Sequence, residues 1–319
     1  MRLLLSLVTS LCLNSAAALA QEYPSKPIKV VVPWAPGGGI DNLARIVGEK
    51  LAENVAQPVI VENRPGAGSG VGTLFVSKAA ADGYSLILSN TTHAINATLY
   101  RNLGYDSVRD FAPVILMADA MTVLVVYPSF PARSVKELIA MAKSKPGAID
   151  YGSAGSGSIQ HLAGELFKNM AAVDMVHVPY KAGSTVISDL IGKRVSVYFP
   201  PIAQILPMVT SGKLTAIAVT GLQRSPLLPD VPTVSESGLP GFEVIDWYGM
   251  QAPAGTSPEI VARLNAELTR ILKSPDMKER LRLRGYEVAG GTPEQFAQLI
   301  QADIRKWAGI IKASGVQAD

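Results

Sequence analysis

The chain has 319 residues with 29 basic and 26 acidic side chains, a formal net charge of +3. So small an excess, with no block of basic residues interleaved with aromatics, argues against a nucleic-acid partner. A hydrophobic share of 48% with 28 Gly and 22 Pro spread along the chain excludes a disordered protein. About 300 residues exceed one ordinary core, so two domains are expected.

The first twenty residues read as an export leader. Arg2 is a minimal positive region, residues 3–13 are an apolar stretch too short to span a bilayer, and Ala18-Leu19-Ala20 is a small-x-small cleavage site. The mature chain is expected to begin at Gln21, exported and soluble, and periplasmic. The single cysteine, Cys12, lies in this leader. Thr9-Ser10-Leu11 before it fits a lipidation site poorly. Without cysteine the mature chain has no disulfide, no thiol nucleophile and no cysteine zinc site.

Strands and helices then alternate. The apolar run Ile28 to Val32 reads as a strand and 41–54 as a helix, with Leu43, Ile46, Val47 and Leu51 on one face. Between them lies Pro33-Trp34-Ala35-Pro36-Gly37-Gly38-Gly39-Ile40-Asp41. A strand, a glycine loop and a helix start together aim backbone N–H groups at an anion, and glycine lets the backbone approach it closely. The same run serves equally as a tight βα turn. A strand at 58–61, a glycine-rich loop at 63–70 and a helix at 71–80 follow. A strand at 84–89 leads into Ser89-Asn90-Thr91-Thr92-His93. Residues 114–117 and 123–126 read as one long strand interrupted by Asp119.

Ser134-Val135-Lys136-Glu137 is a capping box opening a helix that stops at Pro146-Gly147. A strand at 149–151 runs into Gly152-Ser153-Ala154-Gly155-Ser156-Gly157-Ser158, a second anion-loop candidate, and a helix from Ile159 to Met170. Strands at 176–178 and 195–199 flank a short helix, and 214–219 is another strand. Thr256-Ser257-Pro258-Glu259 and Thr292-Pro293-Glu294-Gln295 each open a helix. The pattern is α/β, with strands crossing between domains near 114–127 and returning through Ile245-Asp246-Trp247-Tyr248-Gly249-Met250.

Enzyme signatures are missing. No G-x-G-x-x-G, P-loop, G-x-S-x-G or H-E-x-x-H occurs, and His93, His161 and His177 are far apart, so neither cofactor nor metal is expected. His161, in the first turn of a helix, reads as a packing or supporting residue. The strand ends offer neutral donors, which suit a carboxylate held by aimed dipoles. Asp41 can contact a ligand or cap its helix and pair with Arg45. Trp34 and Trp247 can wall a pocket or fill a core.

Several ordered motifs match one family. Tyr23-Pro24-Ser25-Lys26-Pro27-Ile28, the run from Val32 to Asp41, and Val61-Glu62-Asn63-Arg64-Pro65-Gly66-Ala67-Gly68 resemble the opening of tripartite tricarboxylate transporter receptors, also called Bug receptors. The match continues through Asp82-Gly83-Tyr84, Asp110-Phe111-Ala112-Pro113-Val114, the run from Tyr151 to Ser158, and Val178-Pro179-Tyr180-Lys181. It goes on through Leu228-Pro229-Asp230-Val231-Pro232-Thr233-Val234 and ends with Trp247-Tyr248-Gly249 and Ala252-Pro253-Ala254-Gly255-Thr256. The resemblance implies a two-lobed periplasmic binding protein of the Venus-flytrap type with a discontinuous first domain. Lobe 1 is then 21–121 plus 247–319, and lobe 2 is 122–246. It also implies a small organic acid as ligand, integral-membrane permease subunits of a tripartite transporter as partners, and a monomer.

In such receptors one carboxylate is gripped by a loop from each lobe. Here these are Pro36, Gly37, Gly38, Gly39 and Asp41 beside Trp34, facing Ser156, Gly157, Ser158 and Ile159. Thr91, Thr92, Tyr180, Ala182, Gly183, Ser184 and Phe199 are expected to line the remainder. The family often has Asp after the strand at Val197, where this chain reads Tyr198-Phe199-Pro200-Pro201, which disfavours an amino-acid ligand. A receptor that reports to a membrane signalling partner, or an exported enzyme acting on a carboxylate, remain the alternatives.

Overall fold

A computed structural model describes residues 23–317, so the leader and Cys12 lie outside the described residues. In chain order the first part runs β1 (Ile28–Val32), α1 (Gly39–Val55), β2 (Val59–Asn63), α2 (Gly70–Ser77), β3 (Ser85–Asn90), α3 (Thr92–Leu99) and β4 (Phe111–Met121). The middle runs β5 (Val123–Val126), α4 (Val135–Ser144), β6 (Asp150–Ser153), α5 (Ile159–Ala171), β7 (Val176–Pro179), α6 (Gly183–Ile191), β8 (Val197–Tyr198), α7 (Ile202–Thr210) and β9 (Thr215–Val219). The last part holds β10 (Ile245–Pro253), α8 (Pro258–Lys273), α9 (Pro275–Arg282), β11 (Glu287–Val288) and α10 (Pro293–Ser314).

The strands form two sheets. One has six strands in the order β11-β4-β10-β3-β1-β2, the other five in the order β7-β6-β8-β5-β9. β1 is nearly all apolar and buried because helices cover both faces of its sheet. On α1 the buried positions Leu43, Val47 and Leu51 recur at helical spacing and face that sheet. The second sheet packs on Leu162, Phe167 and Phe199 on one side and on Val186, Leu190 and Ile205 on the other. α10 spans both halves: Trp307, Ile310 and Ile311 share a core with Leu162 and Phe167 of α5 and with Ile95 of α3. Trp247 is also core, its ring edge-on to Phe296 with centroids 5.4 Å apart and its indole N–H donating to Asp303 Oδ2 at 2.7 Å.

Strand directions determine where the loops go. β1, β2 and β3 are parallel, and β10 is antiparallel to both β3 and β4, so β4 runs with β1 and β3. β6, β7 and β8 are parallel, and β5 runs against β8. The chain leaves the first sheet at Met121 and enters the second at Val123. The carboxyl ends of β1, β2 and β3 therefore lie at the edge from which the chain leaves. The carboxyl ends of β6, β7 and β8 lie at the edge it enters, and the two edges meet across Thr122.

The interruption between β4 and β5 falls at Thr122, not at Asp119. Asp119 sits inside β4, opposite Trp247 of β10 and Glu287 of β11. Thr122 is fully buried and bound to Thr220. The two hydroxyls are 2.9 Å apart, and the Thr220 N–H donates to the Thr122 carbonyl at 3.0 Å. The Val244 N–H donates to the Thr220 carbonyl just before β10 begins, so outgoing and returning strands cross side by side. Among the described residues no helix is long and apolar enough to cross a membrane.

Candidate ligand-binding site

The loop after β1 is an exposed glycine turn braced from behind. Gly37 has φ +84°, a left-handed conformation that suits glycine. Its N–H donates to Asp41 Oδ2 at 2.9 Å. Asp41 is buried and also accepts from Arg45 Nε at 3.0 Å and, through Oδ1, from Asn63 Nδ2 at 2.9 Å. Burial pushes its carboxyl up, but the bonds from Arg45, Gly37 and Asn63 outweigh burial and hold it below the ordinary carboxylate range. With both oxygens engaged, Asp41 is a brace for the loop, and the expectation that it touches ligand gives way to that role. Gly38 is extended, and a Cβ there would meet only the Ala35 carbonyl oxygen at 3.7 Å. No side chain caps α1, and among the described residues no acceptor takes the N–H groups of Gly39 and Ile40. Pro36 is exposed on the same turn, and half-buried Trp34 has a buried indole N–H without a partner.

The loop after β6 is built differently. Ser158 caps α5, accepting the His161 N–H at 3.3 Å and donating to the Gly155 carbonyl at 2.7 Å. The Gly157 N–H donates to His161 Nδ1 at 3.1 Å. That bond requires an unprotonated Nδ1. The His161 ring stacks on His177, centroids 3.6 Å apart, and His177 Nε2 lies 2.6 Å from Ser153 Oγ at the end of β6. The Gly157 amide and the Ser158 hydroxyl are thus used within the loop, contrary to their expected part as ligand donors. The N–H groups of Ile159 and Gln160 and the Ser156 hydroxyl stay open; the Ile159 side chain itself is core. A Cβ on Gly157 would lie 2.1 Å from Leu99 at the end of α3, so this loop packs on the other sheet's helix.

Other expected lining residues divide. The Thr91 hydroxyl is buried, donating to the Ile245 carbonyl at 3.2 Å and accepting the Trp247 N–H at 3.0 Å, so it is a latch to β10 and not a ligand donor. Thr92, at the start of α3, is buried as well. The buried carboxyl of Asp246 on β10 already occupies that helix start. Its Oδ1 accepts from the Thr91 N–H at 3.3 Å and Asn90 Nδ2 at 3.2 Å, and its Oδ2 accepts from the Tyr248 hydroxyl at 2.7 Å. Burial pushes the Asp246 carboxyl up, and these bonds oppose the shift. Phe199 is fully buried, with its ring 6.1 Å from Phe167, and is core where a lining residue was expected. The Tyr180 hydroxyl donates to Asp189 Oδ2 at 3.0 Å, but Ala182, Gly183 and Ser184 form the partly open, side-chain-uncapped start of α6.

Two tyrosines at this edge escape a reading of the sequence. A Cβ on Gly39 would be 2.7 Å from the Tyr286 hydroxyl, so Tyr286 stands over the start of α1. A Cβ on the next residue back, Gly285, would be 2.8 Å from Ala203 of α7, so here the first sheet's side touches the second's. Tyr198 is buried with an unpartnered hydroxyl beside Gly183. Neither tyrosine lies in a glycine- or serine-rich run, and the only local signal was the break in the family pattern at Tyr198-Phe199. A surface hollow of about 310 Å³ bordered by Tyr100, Arg101, Tyr105, Asp106 and Ile304 holds none of these loop residues. No cluster of three metal-ligating side chains occurs among the described residues.

Two sheets joined by two crossing strands, with helix starts facing each other across the junction, define an α/β periplasmic-type binding protein. The chain belongs to the tripartite tricarboxylate transporter receptor family, whose model matches residues 43–316. It is 34% identical over 305 residues to the protein BugT of Bordetella pertussis, covering 95% of this chain and 94% of that one. Its fold is similar to that of Rpa4515 of R. palustris with adipate, at TM-score 0.84 and 36% identity, covering 93% and 99% of the two chains. MatC from Rhodopseudomonas palustris with bound malate follows at TM-score 0.80 and 33% identity, covering 91% and 100%. Membership makes the chain a solute-binding receptor of an extracytoplasmic family that works with tripartite transporters.

Proposed function

We propose that this chain captures a small organic carboxylate between its two sheets and delivers it to the integral-membrane permease subunits of a tripartite transporter. In this reading residues 21–121 and 247–319 are one lobe and 122–246 the other. The leader is removed after Ala20, the receptor works as a periplasmic monomer, and the acid leaves chemically unchanged. The observation that carries the reading is the pair of glycine turns, one per sheet, at the edges that meet across Thr122. On each turn the first helical N–H groups are open, at Gly39 and Ile40 on one and at Ile159 and Gln160 on the other. Open N–H groups at a helix start attract a carboxylate. The adipate and malate held by the two similar structures support an acid of that kind.

Gly38→Val tests this cleanly. Gly38 is extended and has free space around its Cα, so valine fits the fold while covering the cradle. The expected result is a folded protein whose melting temperature falls by no more than a few degrees, as the poorer helix cap requires, with calorimetric binding of adipate and malate abolished. Retained affinity in the variant would remove the first turn from the site. Turnover of the acid, followed by mass spectrometry, would replace the receptor by an enzyme.

A further inference from the structure

We propose that His161, stacked in its neutral state on His177, positions the second turn for the acid, so that the receptor releases the acid as the pH falls. The inference rests on the carboxylate reading above and adds regulation by protons to it. His161 lies in the first turn of α5 and His177 on β7, and the parallel pairing of β6 with β7 brings them together. Their rings lie 3.6 Å apart and within 5° of parallel.

His161 closes the turn twice. Its backbone N–H donates to the Ser158 hydroxyl at 3.3 Å, and its ring Nδ1 accepts the Gly157 N–H at 3.1 Å. Ile159 and Gln160 lie between these anchored residues, so the direction of their N–H groups follows from both bonds. Gly157 has φ +75°, and a Cβ on it would run into Leu99, so the turn has no slack on that side. His177 holds the other end of the turn through Ser153. The Ser153 Oγ lies 2.6 Å from His177 Nε2 and accepts the Gly155 N–H at 3.1 Å. The two imidazoles thus fix Gly155 and Gly157, on either side of Ser156.

A backbone N–H can only donate, so Nδ1 must stay bare for the Gly157 bond to exist. A proton there sets two donors face to face and frees Gly157. The groups around the ring give such a proton a counter-ion. Glu165 Oε1, one turn further along α5, lies 3.9 Å from His161 Nε2. Burial pushes the Glu165 carboxyl up, but bonds from Lys168 and from the Tyr151 hydroxyl of β6 outweigh burial and hold it below the ordinary range, so it is ionised. Lys168, on the same carboxylate oxygen, and His177, on the face of the ring, oppose further positive charge. α3 and α10 reach this core through apolar residues, among them Leu99, Trp307 and Ile311. Histidine changes charge between pH 5 and 8, and a turn that needs the bare ring makes acid and proton compete.

His161→Asn and His161→Leu are the test variants, titrated calorimetrically with adipate and malate at pH 7.5 and pH 5.5. Asparagine puts an amide oxygen where Nδ1 stands and does not take up a proton, whereas leucine offers no acceptor. Between the two pH values wild type should lose about ten-fold more affinity than His161→Asn, a comparison in which the titration of the acids cancels. At pH 7.5 His161→Asn should bind a few-fold more weakly than wild type, and His161→Leu about ten-fold more weakly. In ¹H–¹⁵N spectra of the free protein the Gly157 amide should titrate together with the His161 ring in wild type and stay still in His161→Asn. Equal losses in wild type and His161→Asn would overturn the inference and leave the carboxylate reading intact. Tighter binding by wild type at pH 5.5 would do the same, since the imidazolium would then attract the acid. If His161→Leu does not fold, the other two proteins decide alone. No binding of either acid by wild type at pH 7.5 would overturn the carboxylate reading and this inference with it.

Discussion

Helices that start where the two sheets meet are finished differently from helices that start at the outer edges. α4 and α8 follow β5 and β10, which end at outer edges, and serines cap them: Ser134 accepts the Glu137 N–H and Ser257 the Ile260 N–H. α1, α2, α6 and α7 follow strands that end at the meeting edge, and Gly38, Ser69, Ala182 and Pro201 give them no side-chain cap. A serine cap contributes about 1 kcal/mol, so the meeting edge forgoes stability that the outer edges retain. The difference is one of side-chain caps: the meeting edge leaves its helix starts without them, although at α2 the Ala67 and Gly66 carbonyls take the first two N–H groups. α5 departs from the pattern, because Ser158 caps it although it starts at the meeting edge.

α3 departs in another way, and the largest effect is expected there. Its start lies at the meeting edge, yet the chain's own Asp246 occupies it. Asp246→Ala would strand the buried Tyr248 hydroxyl, the Asn90 amide and the Thr91 N–H together. We expect a loss of about 3 kcal/mol in urea unfolding, since each stranded buried group costs about 1 kcal/mol or more. A loss below 1 kcal/mol would mean that α3 is as open as α1 and would erase the distinction between occupied and open helix starts.

These relations set the limits of what could be read in advance. The first glycine turn was legible as an anion-loop candidate at a helix start because a β-branched strand, glycines and a helical apolar period stand side by side at Val32, Gly37 and Leu43. The brace role of Asp41 was half legible, since Arg45 is four residues on, but Asn63 reaches it from the next strand. Thr91 was misread because a polar residue at a strand end looks the same whether it faces the cleft or a neighbouring strand. Asp246, Tyr198 and Tyr286 were not legible at all. The sheet order brings Asp246 beside Thr91, 155 positions earlier, and no local pattern encodes that meeting. The break at Thr122 was placed at Asp119 because polarity inside an apolar run suggests an interruption. β4 instead tolerates Asp119, whose carboxyl is pushed up to about 7 by burial and by Glu287, Asp246, Glu243 and Asp303.

A pH titration sharpens the account of α3. His93, in its first turn, is buried, with Nε2 against the Ser107 carbonyl at 2.9 Å and Nδ1 unpartnered. Burial lowers its pKa from the ordinary 6.5 to about 4. The unfolded chain therefore takes up this proton first as the pH falls. The stability contributed by neutral His93 is complete above pH 6.5 and is lost progressively towards pH 4. Between pH 7 and pH 5 the wild type should lose about 2 kcal/mol more than His93→Gln in urea unfolding, a difference in which the other titrating groups cancel. Asp119 acts in the opposite sense, because a raised carboxyl favours the folded state at low pH, and so the comparison must be made between variants and not on the wild type alone. Equal losses in the two proteins would show His93 to be solvated and the start of α3 to be unsealed.

The smallest effects on stability make the sharpest contrast. Ser134→Ala removes a cap at an outer edge, where the serine accepts the Glu137 N–H at 3.2 Å. It should cost about 1 kcal/mol and leave acid affinity unchanged. Gly38→Ser adds a cap at the meeting edge. Gly38 is already extended, as a cap residue must be, and serine improves on glycine there by only about 0.3 kcal/mol. The new hydroxyl oxygen would accept one of the N–H groups left open for the ligand, so affinity should fall about ten-fold while unfolding moves slightly to higher urea. Stability and affinity then change in opposite directions at α1, whereas at α4 stability changes alone. Parallel changes at α1 would mean that the open N–H groups are a packing accident and that the ligand is held by something else. Calorimetry and urea unfolding on the same two variants separate these outcomes.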